Sequence, residues 1–353
     1  MGIEFDDCCR SLTGDEARFP PGGISPLVVD VGAIRKNSEL VSWLRQQRSQ
    51  VQSRLLRHGA ILFRAAGGIR DAADFEEVAQ ALEPELATTH PFDDGPRPWR
   101  AKHIWDASGH VVGTPQAGSV LAFHNEDSYI PVLPRRLLFC SLRAPSRGGE
   151  TSLTDCRRVL ADIPKSTLAK VTERDHRVRV TLPIEYVMRN TGLRTAAEAE
   201  AFARARSGAE VAVEADRFVF TSARSAVAVH PETGERVWLN RLKTRMLSGY
   251  VLDHLLGSLN ARGTLRFRAL ARTAASVWKP RLASSLLKGL LGLERHPDGL
   301  SAVDEWHIVR AYWKNAVLIR WRSGDFMILD NLLMAHGRMP FRGDRDIVGA
   351  LVP

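Results

Sequence analysis

The segment Leu121-Ala-Phe-His-Asn-Glu-Asp-Ser-Tyr129 places an imidazole and a carboxylate two residues apart, at His124 and Glu126. On a strand, side chains at i and i+2 share a face, so an extended backbone here would set the two groups side by side. A lone histidine is ordinary in a protein core. A glutamate on the inward side of an apolar strand is not, because burying it unpaired is costly. The pair therefore points to a metal, and the third donor would be a second histidine. The best-placed one is His336, in Asp330-Asn-Leu-Leu-Met-Ala-His-Gly-Arg338, after a long insertion. Two imidazoles and one carboxylate on one face leave three positions of an octahedral divalent metal open, which is the donor set of non-haem Fe(II) oxygenases. Histidine and glutamate also suit zinc, so a zinc hydrolase stays open at this level.

Two further signals lie downstream. Gly148-Gly149-Glu150-Thr151 would by itself be an ordinary turn entering a strand. Arg345 precedes the apolar run beginning Ile347-Val348. An arginine entering such a strand is expensive unless it meets an anion. Its planar fork matches a carboxylate through two parallel hydrogen bonds.

The strings His124-Asn-Glu-Asp-Ser-Tyr129, Pro134-Arg-Arg-Leu-Leu-Phe-Cys140 and Gly148-Gly-Glu-Thr-Ser-Leu-Thr-Asp155 resemble the taurine dioxygenase and clavaminate synthase superfamily (TauD/TfdA). The branch they resemble most has glutamate as the metal carboxylate and includes the syringomycin-type aspartyl hydroxylases. Gly59-Ala-Ile-Leu-Phe-Arg64, Pro231-Glu-Thr-Gly-Glu-Arg-Val-Trp-Leu-Asn240 and Gly324-Asp-Phe-Met-Ile-Leu-Asp-Asn331 follow the same branch in order, so the resemblance covers roughly residues 28–352. It implies a double-stranded β-helix (jelly-roll) core, Fe(II), and 2-oxoglutarate and O2 as cosubstrates. His124, Glu126 and His336 match the iron ligands. Thr151 matches the threonine that hydrogen-bonds 2-oxoglutarate, and Arg345 the arginine that pairs with its C5 carboxylate.

The implied reaction is hydroxylation of an unactivated C–H bond in an amino acid or amino-acid-derived substrate, free or bound to an acidic carrier protein, in specialised-metabolite (antibiotic) biosynthesis. Desaturation, epoxidation or cyclisation would use the same cofactor chemistry. Halogenases of the superfamily have a small residue where Glu126 stands, leaving space for chloride, so no halogenation is expected. Some members carry a second basic residue four or five positions after the cosubstrate arginine, to bind an acidic substrate group. Here those positions are Gly349 and Ala350, so Arg338 and Arg342 become the candidates for a substrate anion, with Arg342 also a fallback for the cosubstrate. Asn125, Ser128, Tyr129, Trp238 and Asn240 are further candidate pocket residues, Trp238 being as readily a core residue.

The elements that must hold these groups are short. Strands are expected over 28–31, 60–64, 120–123, 136–142, 151–154, 177–182, 316–321, 326–330 and 346–352, with a hairpin at 227–229 and 236–239. Helices are expected over 38–56, from Asp71 or Asp74 to 82, from Asp155, from 166, over 195–201 with a flexible continuation at 202–209, over 246–279 with a break at Pro280, and over 304–313. Residues 84–100 and 186–194 are expected to form lid loops, and 284–293 a mobile segment. No repeat and no composition break divides the chain. The reading is an irregular segment at 1–27, then one mostly β domain with helical insertions (α+β) over 28–353, its helical insertion at about 160–315.

A chain of 353 residues with 44% hydrophobic and 25% charged residues has an ample core and needs no disulfide to fold. Its net charge of +9 raises the question of nucleic acid. The arginines are spread along the chain instead of gathered in an arm, so a nucleic-acid module ranks below an enzyme; a non-catalytic jelly roll ranks below it too, because all three ligand positions, His124, Glu126 and His336, are intact. Four cysteines without Cys-x-x-Cys spacing fit a reducing compartment. No secretory signal or apolar span is visible, which makes the cytoplasm the default and a membrane association unexpected.

Overall fold

A computed structural model describes residues 4–18, 26–64, 66–92, 98–108, 116–128, 130–172, 176–239, 247–277 and 300–353. Two sheets face one another. The larger runs in the order Cys9–Arg10, Leu27–Asp30, Ala60–Arg64, Phe326–Asp330, Arg136–Arg143, Asp346–Val352, Trp105–Asp106. The smaller runs Ala17–Arg18, Ala316–Ile319, Thr151–Asp155, Met334–Arg338, Leu121–His124. All these pairings are antiparallel except Leu27–Asp30 with Ala60–Arg64. Those two strands are joined by the 22-residue helix Asn37–His58, the crossover a parallel pair requires.

Alternation along the larger sheet sorts its side chains into two cores. Ala60, Leu62, Leu137, Phe139, Met327 and Leu329 point between the sheets. Ile61, Phe63, Leu138, Cys140, Phe326 and Ile328 point at helices Asn37–His58 and Ala72–Leu82. Both faces are covered, so these strands read in the sequence as unbroken apolar runs. The first helix stops at Gly59, whose left-handed φ of 73° suits glycine. The second starts at Asp71, whose carboxylate accepts from the Ala73 and Asp74 amides.

The expectation for residues 1–27 is corrected. Cys9 and Arg10 pair with Val29 and Val28 on the edge of the larger sheet, and Ala17 and Arg18 pair with Ile319 and Leu318 on the edge of the smaller one. Between them Glu16, buried, meets Arg10 at 2.6 Å and the buried Arg64 at 3.2 Å. These are contacts across long sequence distances, which local propensity does not announce.

In the insertion the strand expected over 177–182 forms, and two strands that were not expected, Glu210–Glu214 and Arg217–Arg224, join it. His176–Pro183, Arg217–Arg224 and Glu210–Glu214 form a separate three-stranded sheet. Its hairpin turns at Ala215 and Asp216 with Ala215 at φ 54°, without the Asn-Gly or Asp-Gly that would have signalled it. Helix Ala196–Arg206 takes up residues 202–206 of the stretch expected to be flexible, where Phe202 packs on Phe92 and Ala203 is buried, and ends before 207–209. Residues 186–191, expected in a lid loop, belong to helix Ile184–Thr191. The Pro280 break, the segment 284–293 and residues 93–97 lie outside the described residues. No helix among the described residues is long and apolar enough to cross a membrane.

Candidate active site

His124 ends its strand and His336 lies directly opposite on the neighbouring strand of the smaller sheet. Their ring centroids are 4.3 Å apart. The His124 Nδ1 sits 2.9 Å from the Ala122 carbonyl oxygen. An N–H donated there leaves Nε2 with its lone pair facing inward, the tautomer a metal ligand needs. Nε2 of His124 and Nε2 of His336 lie 3.6 and 3.5 Å from the same Glu126 oxygen, Oε2. The three donor atoms all fall within 4.8 Å of one another. Glu126 and His336 are buried while His124 keeps 30% of its side chain exposed, so the cluster opens on the His124 side.

Glu126 reaches this position by a different route from the one expected. The strand ends at His124, and Glu126 sits in the turn that follows, next to Asp127 at φ 54°. The turn is held by Asn331, fully buried. The Glu126 amide donates to Asn331 Oδ1 at 2.8 Å, while Asn331 Nδ2 donates to the carbonyls of Glu126 at 3.0 Å and Pro134 at 2.9 Å. Beside Asn331, the Asp330 carboxylate accepts from the amides of Leu332 and Leu333, bending the chain from one sheet into the strand that carries His336. On the other flank, His90 Nε2 lies 3.0 Å from both Asp127 oxygens and 3.8 Å from Glu126 Oε1. Neither Asn331 nor His90 was singled out by sequence reasoning. Asn331 closes one of the resembling segments, and His90 sits in a proline-rich loop with no spacing to mark it.

Substituting Asn331 by alanine strands three backbone groups of the turn. The expected result is a loss of roughly 2–4 kcal/mol of stability and a 10- to 100-fold weaker metal affinity. Thermal unfolding and a metal titration on the same sample check both.

Thr151 is two cross-strand pairs along from His336, directly opposite Arg338. Its hydroxyl accepts from Trp321 Nε1 at 2.8 Å. Arg338 and Arg345 approach the Phe341 ring, with guanidinium carbons 5.2 and 5.6 Å from its centroid. Both are deeply placed and meet neutral acceptors only: Arg345 Nη1 donates to Ser108 O at 2.9 Å, and Arg338 Nη1 to Met339 O at 3.3 Å and Ser119 O at 3.4 Å. No carboxylate among the described residues lies within ion-pair distance of either. Burial pushes Arg338 down to about 10. Burial, then the like charge of Arg338, pushes Arg345 down to about 9 against the opposing Asp106. Both shifts stop above neutral pH, so the two side chains carry positive charge there. Gly148 and Gly149, both at positive φ, admit this packing. A Cβ on Gly148 would lie 2.2 Å from Pro340 O, and one on Gly149 would lie 2.7 Å from Pro145 Cγ and 3.1 Å from Phe341 Cβ.

The remaining candidates separate. Arg342 is exposed on a short strand with Arg147 and joins neither the histidines nor the arginine pair, which corrects its place as a fallback. The Asn125 amide is spent on the Asn331 and Met334 carbonyls and the Cys156 sulfur, so it braces the turn instead of lining a pocket. Ser128 is buried in the same turn. Trp238 is fully buried in the core between the sheets. Tyr129 and Asn240 lie outside the described residues.

The model of one family, "Taurine catabolism dioxygenase TauD, TfdA family", matches residues 23–351. The chain belongs to the TauD/TfdA family. It is a non-haem iron, 2-oxoglutarate-dependent oxygenase, with Fe(II) as its metal and 2-oxoglutarate and O2 as cosubstrates. Among curated proteins, this TauD/TfdA chain is 27% identical over 306 residues to the dapdiamide synthesis protein DdaC of Enterobacter agglomerans, covering 83% of this chain and 82% of that one. Among solved structures, it is similar to the PvcB protein of Pseudomonas aeruginosa, with a TM-score of 0.52 at 14% identity, over 98% of this chain and 90% of that one. A second PvcB structure, described as an Fe, alpha-ketoglutarate dependent oxygenase from an isonitrile synthetic pathway, gives a TM-score of 0.51 at 14% identity, again over 98% and 90%. At that identity the likeness is one of fold: two facing sheets in a jelly roll.

Proposed function

We propose that His124, Glu126 and His336 hold the Fe(II), that Thr151 and Arg345 hold 2-oxoglutarate, and that the enzyme hydroxylates an amino acid or amino-acid-derived substrate. The observation that carries this is the meeting of two Nε2 atoms on one carboxylate oxygen, at 3.5 and 3.6 Å, beside two arginines, Arg338 and Arg345, that have no carboxylate partner among the described residues. The relative named for dapdiamide synthesis supports a place in specialised-metabolite biosynthesis. A substrate delivered by an acidic carrier protein fits the net charge of +9.

When bound, iron and 2-oxoglutarate supply the oxidising power: O2 is consumed, 2-oxoglutarate gives succinate and CO2, and a substrate C–H becomes C–OH. The protein supplies position. The Ala122 carbonyl fixes the His124 ring, the Asn331 clamp fixes the Glu126 backbone, and Asp127 with His90 braces the outer side of the turn. Arg345 offers its charge to the C5 carboxylate, and Thr151, oriented by Trp321, offers its hydroxyl to the same molecule. Arg338, directly across from Thr151, places a second positive charge in this pocket. Neutral carbonyls already surround both guanidiniums, so the carboxylate enters without breaking an ion pair.

The test is succinate release by anaerobically purified, Fe(II)-loaded protein on exposure to air, across free amino acids and carrier-protein thioesters. The expected product gains one oxygen atom. A loss of two hydrogens would indicate desaturation. Absence of iron-dependent succinate with every substrate, together with no visible absorption band on anaerobic addition of 2-oxoglutarate, would overturn the reading. Chloride in the same assay is expected to leave the product unchlorinated, because Glu126 fills the position a halide would need. A chlorinated product by mass spectrometry would contradict this.

A further inference from the structure

The smaller sheet has an outer face, and that face carries a cavity of its own. Along Thr151–Asp155 and Met334–Arg338, the residues Thr151, Leu153, His336 and Arg338 occupy alternate positions that look between the sheets. The next residues out of step, Glu150 and Met339, look the other way, as does Arg320 after the inward Ile319. On that side Leu318 and Met339 pack beneath Ala261 and Leu265, at the corner between helices Leu247–Asn260 and Thr264–Val277. A cavity of about 290 Å³ opens between this corner and the sheet.

Its charge is one-sided. Arg147, Arg262 and Arg320 line it, against the single carboxylate of Glu150. Arg147 lies on Gly263, at φ 55°, where a Cβ would sit 2.8 Å from Nη2, so the glycine admits the guanidinium. Arg320 Nη1 donates to the Asp15 carbonyl at 3.0 Å, a neutral partner. None of the three makes an ion pair among the described residues. Arg18 adds a fourth cation at the rim, bonded to the Asn260 carbonyl. Its guanidinium is held below its usual value by burial first and then by the like charges of Arg262 and Arg320, while Glu150 pulls the other way. Arg147, Arg262 and Arg320, gathered around one cavity with no ion pair among the described residues, are what an oxyanion would relieve.

We propose that this cavity is a second ligand site, separate from the metal centre, for a small phosphomonoester. A carboxylate presents two coplanar oxygens and satisfies one guanidinium fork. Three or four guanidiniums converging from different elements suit a tetrahedral, doubly charged head with three terminal oxygens. The remaining wall, Pro145, Leu265, Met339 and Pro340, is apolar and would take a short aliphatic arm. One lining residue faces both sites: Trp321 borders this cavity and also donates to Thr151. Occupation would therefore be felt at the threonine proposed to hold 2-oxoglutarate.

The experiment is calorimetric titration of the full chain with inorganic phosphate and with n-propyl phosphate, at constant ionic strength in chloride, with and without saturating 2-oxoglutarate. One site is expected, tighter for the propyl ester and still present with 2-oxoglutarate bound. A double variant, Arg147→Ala with Arg262→Ala, changes two exposed side chains. It is expected to weaken phosphate at least about tenfold while leaving the melting temperature and succinate release in place. Arg345→Leu is expected to leave phosphate affinity unchanged. No saturable binding up to about 10 mM, or binding lost in Arg345→Leu and kept in the double variant, overturns the proposal. Neither result bears on the iron site, whose own test is succinate.

Discussion

Replacing His336 with alanine is expected to cut iron-dependent succinate formation by about 10³-fold or more, corresponding to roughly 4 kcal/mol of lost transition-state stabilisation. His336 is buried opposite His124 and supplies one of the two nitrogens that meet on Glu126 Oε2. Without it the donor set falls to one imidazole and one carboxylate, and iron affinity is expected to fall with the rate. The substitution also opens a cavity beside Phe139, whose ring centroid lies 5.5 Å from that of the histidine. A circular-dichroism melt is therefore run beside the assay, to separate loss of metal from loss of fold. A folded His336→Ala protein that keeps its iron and its succinate rate within tenfold would contradict the assignment.

The second large effect has opposite signs on function and on stability. Arg345→Leu is expected to weaken 2-oxoglutarate at least about 30-fold, the lower end of the cost of truncating one partner of a buried charge pair. The same change is expected to raise the melting temperature of the cosubstrate-free protein by about 2–4 °C. Arg345 carries a charge that only carbonyls accept, and Arg338 repels it. An apolar side chain removes that cost. The pH dependence follows from the same shift. The folded guanidinium is held down to about 9, well below the ordinary arginine value. Below about pH 9 the wild-type protein bears the whole cost. Above about 9, and until the unfolded arginine itself titrates, the unfolded chain binds more protons than the folded one, so wild-type stability recovers relative to the variant as pH rises through that window. Adding 2-oxoglutarate at neutral pH, at concentrations well above the wild-type Kd, should reverse the order of the two melting temperatures, because wild type gains more from ligand binding. Equal melting temperatures without cosubstrate, or an unchanged cosubstrate affinity, would dismiss the role given to Arg345.

That His124, Glu126 and His336 come together was legible in the sequence because each belongs to a short motif in a strand or at its end; Thr151 and Arg345, proposed to hold 2-oxoglutarate, were picked out by motifs of the same kind. The cores of the strands were legible for a related reason. Ala60–Phe63, Leu137–Cys140 and Phe326–Leu329 are unbroken apolar runs, and such a run buried on both faces has few alternatives. The helix ends at Gly59 and Asp71 were legible because their capping chemistry is local.

What the sequence did not determine lies in contacts between distant segments. Glu126 was expected on a strand beside His124, yet it meets the histidines from a turn, since Asn331 draws that turn inward from about 200 residues away. Asn125 has the composition of a pocket residue and spends its amide on backbone carbonyls instead. Arg338 and Arg342 are four residues apart and of one type, and only the register of strand Met334–Arg338 against Thr151–Asp155 buries the first while the second stays exposed. The arginines of the outer cavity come from four separate segments, so no motif gathers them. By itself the sequence determined the reaction class and most of the chemical groups, because those depend on residue type at short spacing. The tertiary structure alone decided which groups face one another, because pairing register and long-range hydrogen bonds set direction, and direction leaves no local trace in residue order.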